Sequence, residues 1–164
     1  MLRKLSLVAV FFLAVALSAH AQGIRDKVEL FGGYSYMRLD SSPYTNLNGW
    51  ELSGQYKVAK WLGGVADLDG TYGSGASVHT FLFGPQVSWP ARISPFAHVL
   101  LGGGHFSSSG AGDTSFSTAV GVGIDAKLMH GVSWRVIQGD YVTTRFFGST
   151  QNNVRVSSGI VIRF

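Results

Sequence analysis

Apolar side chains recur at every second residue through long stretches of this chain, and that period limits what the stretches can become. In the last segment Val154, Val156, Ser158, Ile160, Ile162 and Phe164 alternate with Arg155, Ser157, Gly159, Val161 and Arg163. Successive side chains of a β-strand point to opposite faces, so this spacing predicts a strand with one apolar and one charged face. The same division separates Trp50, Leu52, Gly54, Tyr56 and Val58 from Glu51, Ser53, Gln55 and Lys57. It also separates Phe116, Thr118, Val120, Val122, Ile124, Ala126 and Leu128 from Ser117, Ala119, Gly121, Gly123, Asp125 and Lys127.

Further strands are predicted at 28–38, 62–72, 78–88, 93–106 and 132–143, making eight in all. In the third, Leu62, Ala66, Leu68 and Tyr72 oppose Val65, Asp67, Asp69 and Thr71. The alternation slips in the fifth, which Gly102-Gly103-Gly104 interrupts, and in the seventh, where Val132, Trp134 and Val136 share a parity with Gln138 and Asp140. A β-bulge in each would restore it. Connections at 39–47, 73–77, 107–115 and 144–151 are mostly longer than those at 59–61, 89–92 and 129–131. In membrane barrels the long loops face outward and the tight turns face the periplasm, which here returns both termini to the turn side. That topology sets Tyr36, Trp50, Tyr72 and Phe116 near the outer rim and Tyr56, Trp89, Trp134 and Phe164 near the inner one, as two interfacial girdles.

The first residues bear on the compartment. Arg3 and Lys4 precede an apolar run from Leu5 to Leu17 broken only by Ser6, and Ala19-His20-Ala21 has the small-x-small form of a signal-peptidase site. Residues 1–21 are therefore expected to be a cleaved export signal and 22–164 a single barrel domain. The apolar run is shorter than the ~20 residues a membrane-spanning helix needs. Arg3 and Lys4 are the only charges in the signal, so the formal net charge of +4 drops by two on its removal. No Lys/Arg-rich block remains, and no nucleic-acid partner is expected. Without cysteine there is no disulfide framework.

Only 13% of the chain is charged, against about 25% in soluble domains, which points to a surface facing something other than water. The longest uncharged stretch after the signal, Ile93 to Gly112, holds five Gly, four Ser and one Pro and makes a poor membrane helix. A closed barrel is the remaining way to satisfy every backbone group in lipid. A soluble barrel or sandwich also alternates, but with its apolar face inside. Here bulky aliphatics and aromatics occupy one face, while Gly, Ser, Ala and isolated charges occupy the other, and small residues suit the narrow interior of eight strands. The expected fold is all-β, an eight-stranded antiparallel up-and-down transmembrane β-barrel.

The opening strand Val28-Glu-Leu-Phe-Gly-Gly-Tyr-Ser-Tyr36, the Gly-rich pattern and the ending Gly159-Ile-Val-Ile-Arg-Phe164 add to this. In these features the chain resembles the small outer-membrane β-barrel family that includes the OmpA transmembrane domain and OmpX. The resemblance covers essentially all of 22–164. It implies location in the cell outer membrane and contact with outer-membrane lipid; the leading expectation for function is a structural or interaction role exercised by surface loops, without catalysis, with a narrow pore and a lipid A-modifying enzyme as alternatives. The resemblance further implies that Phe164, with Ile162 and Ile160, forms the signal by which the outer-membrane assembly machinery recognises its clients. The peptidoglycan-binding domain of OmpA proper is not expected.

Ten charges carry the inward parity: Glu29, Glu51, Asp67, Asp69 and Asp125 against Lys57, Lys127, Arg135, Arg155 and Arg163. Buried charge is costly unless paired, so equal numbers of each sign predict a salt-bridge network filling the lumen, with an ion path as the alternative. His105-Phe106-Ser107 offers the His and Ser of a hydrolase, as in barrels that modify lipid A, but no acidic partner is specified and the match is two residues long. His79, His98 and His130 have no metal-ligand spacing, and no metal or cofactor is expected. Gly102-Gly103-Gly104 precedes no helix and so is no phosphate cradle.

Overall fold

The structure, a computed structural model, describes residues 27–40, 45–73, 75–108, 111–145 and 150–164. The segment 1–26, with the expected export signal, lies outside the described residues. Eight strands form: β1 (Val28–Leu39), β2 (Thr45–Lys57), β3 (Leu62–Gly73), β4 (Ala76–Ser88), β5 (Ile93–Ser108), β6 (Ala111–Met129), β7 (Val132–Thr144) and β8 (Gln151–Arg163). Each pairs antiparallel with the next, and β8 pairs with β1 to close the barrel. At the seam, the Phe164 amide donates to the Val28 carbonyl at 2.9 Å.

Paired residues followed once round the barrel run from Ala97 through Val122, Gly139, Val156, Tyr36, Asn48, Tyr72 and Ser77. They return to β5 at Ser107, ten residues beyond the start. A stagger of that size over eight strands corresponds to a strand tilt of roughly 40° and an interior just wide enough for side chains. Gly75 (φ 75°) and Gly131 (φ 77°) supply the left-handed backbone required by the tight connections 74–75 and 130–131.

Strand bounds depart from the sequence expectation at the end away from the termini. β5 and β6 leave only 109–110 between them where composition predicts a loop over 107–115, and β3 and β4 leave only 74–75. Ser107 pairs with Gly112 and Ser108 with Ala111, so residues of low strand propensity are held by their ladder. The connections 40–44, 74–75, 109–110 and 145–150 are consequently little longer than 58–61, 89–92 and 130–131.

The expected bulge in the fifth strand is absent, because β5 keeps a single register with β4 and with β6. Its pattern looked broken because Phe96, Leu100 and Phe106 share the lumen face with Gly102 and Gly104. In β7 the bulge is present. Pairing with β8 shifts between Arg135 and Gln138, leaving Val136 and Ile137 both on the outer wall and turning Arg135, Gln138 and Asp140 all inward. The β6–β7 pairing shifts at the same bulge, between Ile124 and Asp125, and once more between Lys127 and Met129.

The interior is also less uniformly small and polar than the alternation suggests. Met37, Leu39, Leu47 and Val78, with Phe106 against them, form an apolar cluster at the end of the lumen away from the termini. Val65, Leu82, Leu100, Ala119 and Val142 form a second on the β3–β7 side. Polar and charged side chains fill the remainder.

Candidate functional site

The lumen network begins from Arg155, which β8 aims inward between Ser157 and Asn153 and which is wholly buried. Its Nε donates to Asp140 Oδ2 at 2.9 Å and its Nη1 to Asp67 Oδ1 at 2.9 Å. Asp69 Oδ2 lies 3.3 Å from Nη1, and Glu51 Oε2 lies 3.7 Å from Nε. Four carboxylates thus surround one guanidinium. Neutral donors satisfy part of the excess. Gln138 Nε2 donates to Glu51 and to Asp140, each at 2.8 Å, the Thr80 amide donates to Asp69 at 3.0 Å, and the hydroxyls of Thr80 and Ser157 bond Asp69 and Glu51. His98 Nε2 lies 2.8 Å from Asp140 Oδ1.

A second centre lies nearer the termini. Arg135 bonds Asp125 with Nε at 2.9 Å and Nη2 at 3.3 Å, and donates through Nη1 to Gln138 Oε1 at 2.7 Å. Its guanidinium is sandwiched between the rings of Phe31 and Phe96, 4.4 and 4.3 Å from their centroids. That stack needs room on β6, where a Cβ at Gly123 would fall 2.3 Å from the Phe96 ring. Below it Glu29 takes both Lys57 and Arg163, and Arg163 reaches Asp125 at 3.6 Å. Charges are therefore linked from the terminal mouth to the centre of the lumen.

Of the ten charges read from the sequence, nine join this network. Lys127 does not, since it is exposed at the mouth beside the register shift between Lys127 and Met129. Asp140, His98 and Gln138 are members the sequence reading left out. Their parity was hidden by the β7 bulge and by the inward aromatics of β5. Ile160 and Ile162 face outward on β8, and half-buried Phe164 follows at its end. His105 and Ser107 sit on the outer face with Phe106 turned into the lumen, and His105 Nδ1 lies 2.7 Å from Thr114 Oγ1. Among the described residues no group of three or more His, Cys, Asp or Glu is placed to hold a metal ion.

The outer wall is the inverse of the lumen. Phe81, Phe83, Val99, Leu101, Val120, Val122, Ile160 and Ile162 are all exposed, Val122 at 62%. Trp50, Tyr72 and Phe116 lie above this belt, with half-buried Tyr36. Below it lie Tyr56, Trp61, Trp89 and Trp134, Trp89 at 72% exposure. Monomeric soluble proteins rarely expose contiguous apolar surface beyond a few hundred Å².

A closed eight-strand barrel with a charged, filled lumen and an apolar outer wall has the fold of the small outer-membrane β-barrels. Neisserial surface protein A (NspA) superposes with a TM-score of 0.73 at 12% identity, over 84% of this chain and 97% of that one. Ail, the attachment invasion locus protein of Yersinia pestis, gives 0.56 at 18% identity over 82% and 97%. The N-terminal β-barrel domain of Pseudomonas aeruginosa OprF gives 0.57 at 7% identity over 85% and 99%. No protein-family model matches the sequence, and no curated protein matches it by sequence.

Proposed function

We propose that this chain is a structural and interaction barrel of the cell outer membrane, closed to ions and without catalysis, which acts through the strand ends and connections it presents at the surface. The observation that carries the reading is the inverted polarity. Large apolar side chains ring the outside while Arg155 and its carboxylates are sealed inside, an arrangement stable in lipid and unfavourable in water. Outer-membrane lipid is then the surrounding solvent, and the alternating last strand with Ile160, Ile162 and Phe164 is the segment read by the assembly machinery. The names of two similar structures refer to the cell surface and to attachment, and contact made from the surface end is the role a filled lumen leaves available.

Membrane fractionation combined with migration on a denaturing gel, heated against unheated, tests the reading. We expect recovery in the outer-membrane fraction and a heat-dependent shift in mobility. Recovery as a soluble periplasmic protein would overturn it. Steady conductance would favour a narrow pore instead, and loss of acyl chains from lipid A on incubation would favour a lipid-modifying enzyme.

A further inference from the structure

Two connections at the terminal end have the same make-up. Val58-Ala59-Lys60-Trp61 joins β2 to β3 and Trp89-Pro90-Ala91-Arg92 joins β4 to β5; each carries one tryptophan, one cation and no acid. They are neighbours in space. The Ser88 amide donates to the Trp61 carbonyl at 2.8 Å, and the Trp89 amide donates to the Pro95 carbonyl at 2.9 Å. Ser94 Oγ donates to the Trp89 carbonyl at 2.6 Å, and the Lys127 amide donates to the Arg92 carbonyl at 2.9 Å. Four hydrogen bonds therefore hold both connections against the wall.

Between the two indoles lies a groove of about 410 Å³, floored by Val87, Pro95 and Ala97. Its lining is almost wholly apolar, and both tryptophans are more than half exposed. Lys60 precedes Trp61 in the chain and Arg92 follows Trp89 by three residues, at the rim of the terminal mouth; both are exposed, and neither has an ion-pair partner among the described residues. The described carboxylates of this end, Glu29 and Asp125, are buried in the lumen with Lys57, Arg163 and Arg135. The opposite end has both signs exposed or half-exposed, Arg38 and Arg145 with Asp40 and Asp113. The excess of positive charge is thus local to the end that carries the groove.

We propose that this groove is a binding site for an anionic glycerophospholipid, with an acyl chain lying between Trp61 and Trp89 and the headgroup phosphate held by Lys60 and Arg92. The inference rests on the outer-membrane reading above. Indole rings settle at the boundary of headgroups and chains, arginine matches the geometry of a phosphate, and each cation near an anionic surface is worth about fivefold in affinity. The terminal end of the barrel then faces the phospholipid leaflet.

Contact quenching of tryptophan by brominated acyl chains tests the site. Trp50→Phe with Trp134→Phe leaves Trp61 and Trp89 as reporters, in vesicles of equal phosphatidylglycerol and phosphatidylcholine with bromine on one or the other. We expect brominated phosphatidylglycerol to be preferred by about fivefold or more, and Lys60→Gln with Arg92→Gln to abolish the preference while the barrel stays folded. Equal quenching by the two lipids would overturn the site and leave the membrane reading intact. Quenching by neither would overturn both. Should the double tryptophan variant not fold, native mass spectrometry of the unaltered chain released from the same mixture gives the same decision, by whether phosphatidylglycerol is selectively retained.

Discussion

Within the lumen the carboxylates outnumber the cations around Arg155, and the consequences fall on that one side chain. Removing one partner of a buried ion pair leaves uncompensated charge and costs about 3–5 kcal/mol. Arg155→Met is therefore expected to lose about that much in urea unfolding from lipid vesicles, since Glu51, Asp67, Asp69 and Asp140 would keep only neutral donors and His98. A loss under about 1 kcal/mol would show that the cluster is not held together by this guanidinium. Arg135 makes a different demand, because its contacts depend on shape as well as charge. A lysine there keeps the charge but neither forks onto Asp125 nor stacks between Phe31 and Phe96, so Arg135→Lys is expected to cost about 1–2 kcal/mol. Wild-type stability for that variant would reduce Arg135 to a point charge.

Among the strands, β2, β6 and β8 were legible because, apart from Leu47 and Val161, their inward residues are polar or small and their outward ones mostly bulky, so parity and polarity agree. β5 and β7 were not. In β5 the inward face carries Phe96, Leu100 and Phe106, and in β7 the two outward residues Val136 and Ile137 shift the parity midway. A slip in the alternation marks both strands, but nothing local tells an inward aromatic from a bulge or places the bulge, since inward apolar residues answer to partners on other strands. The same losses hid His98 and Asp140 from the candidate network, while most of the charges on unbroken strands could be placed. The wall assignment is open to a direct test on β6. Val122 lies on the wall between Phe116 and Leu128, whereas Ser107 is exposed at the far end of β5. An arginine near the bilayer midplane costs about 2–4 kcal/mol and near the interface about 0–1 kcal/mol. Val122→Arg should therefore destabilise the vesicle-bound barrel by the larger amount and Ser107→Arg by the smaller. Equal unfolding free energies would mean that the apolar face does not meet lipid.

Taken together, the ten-residue stagger, the ion-pair network and the apolar cluster decide whether anything passes through the barrel. Eight strands at this tilt enclose only enough space for side chains, and those side chains are present. An ion entering from the terminal mouth meets Glu29 already shared by Lys57 and Arg163, then Arg135 bonded to Asp125, then Arg155 among its carboxylates. Beyond these, Met37, Leu39, Leu47, Val78 and Phe106 line the far end with apolar surface poor in groups to replace a hydration shell, the buried Thr71 hydroxyl being turned to the Met37 sulfur. Passage would require breaking buried charge-assisted contacts and stripping water from the ion at an apolar constriction, and either step alone is a high barrier. Purified protein in planar bilayers is therefore expected to show no steady openings of nanosiemens size. Openings of that size, persisting at constant voltage and altered by Arg155→Met, would place the conduction path through the lumen and convert the network from a plug into a gate. Openings unchanged by that substitution would instead place the path outside this barrel.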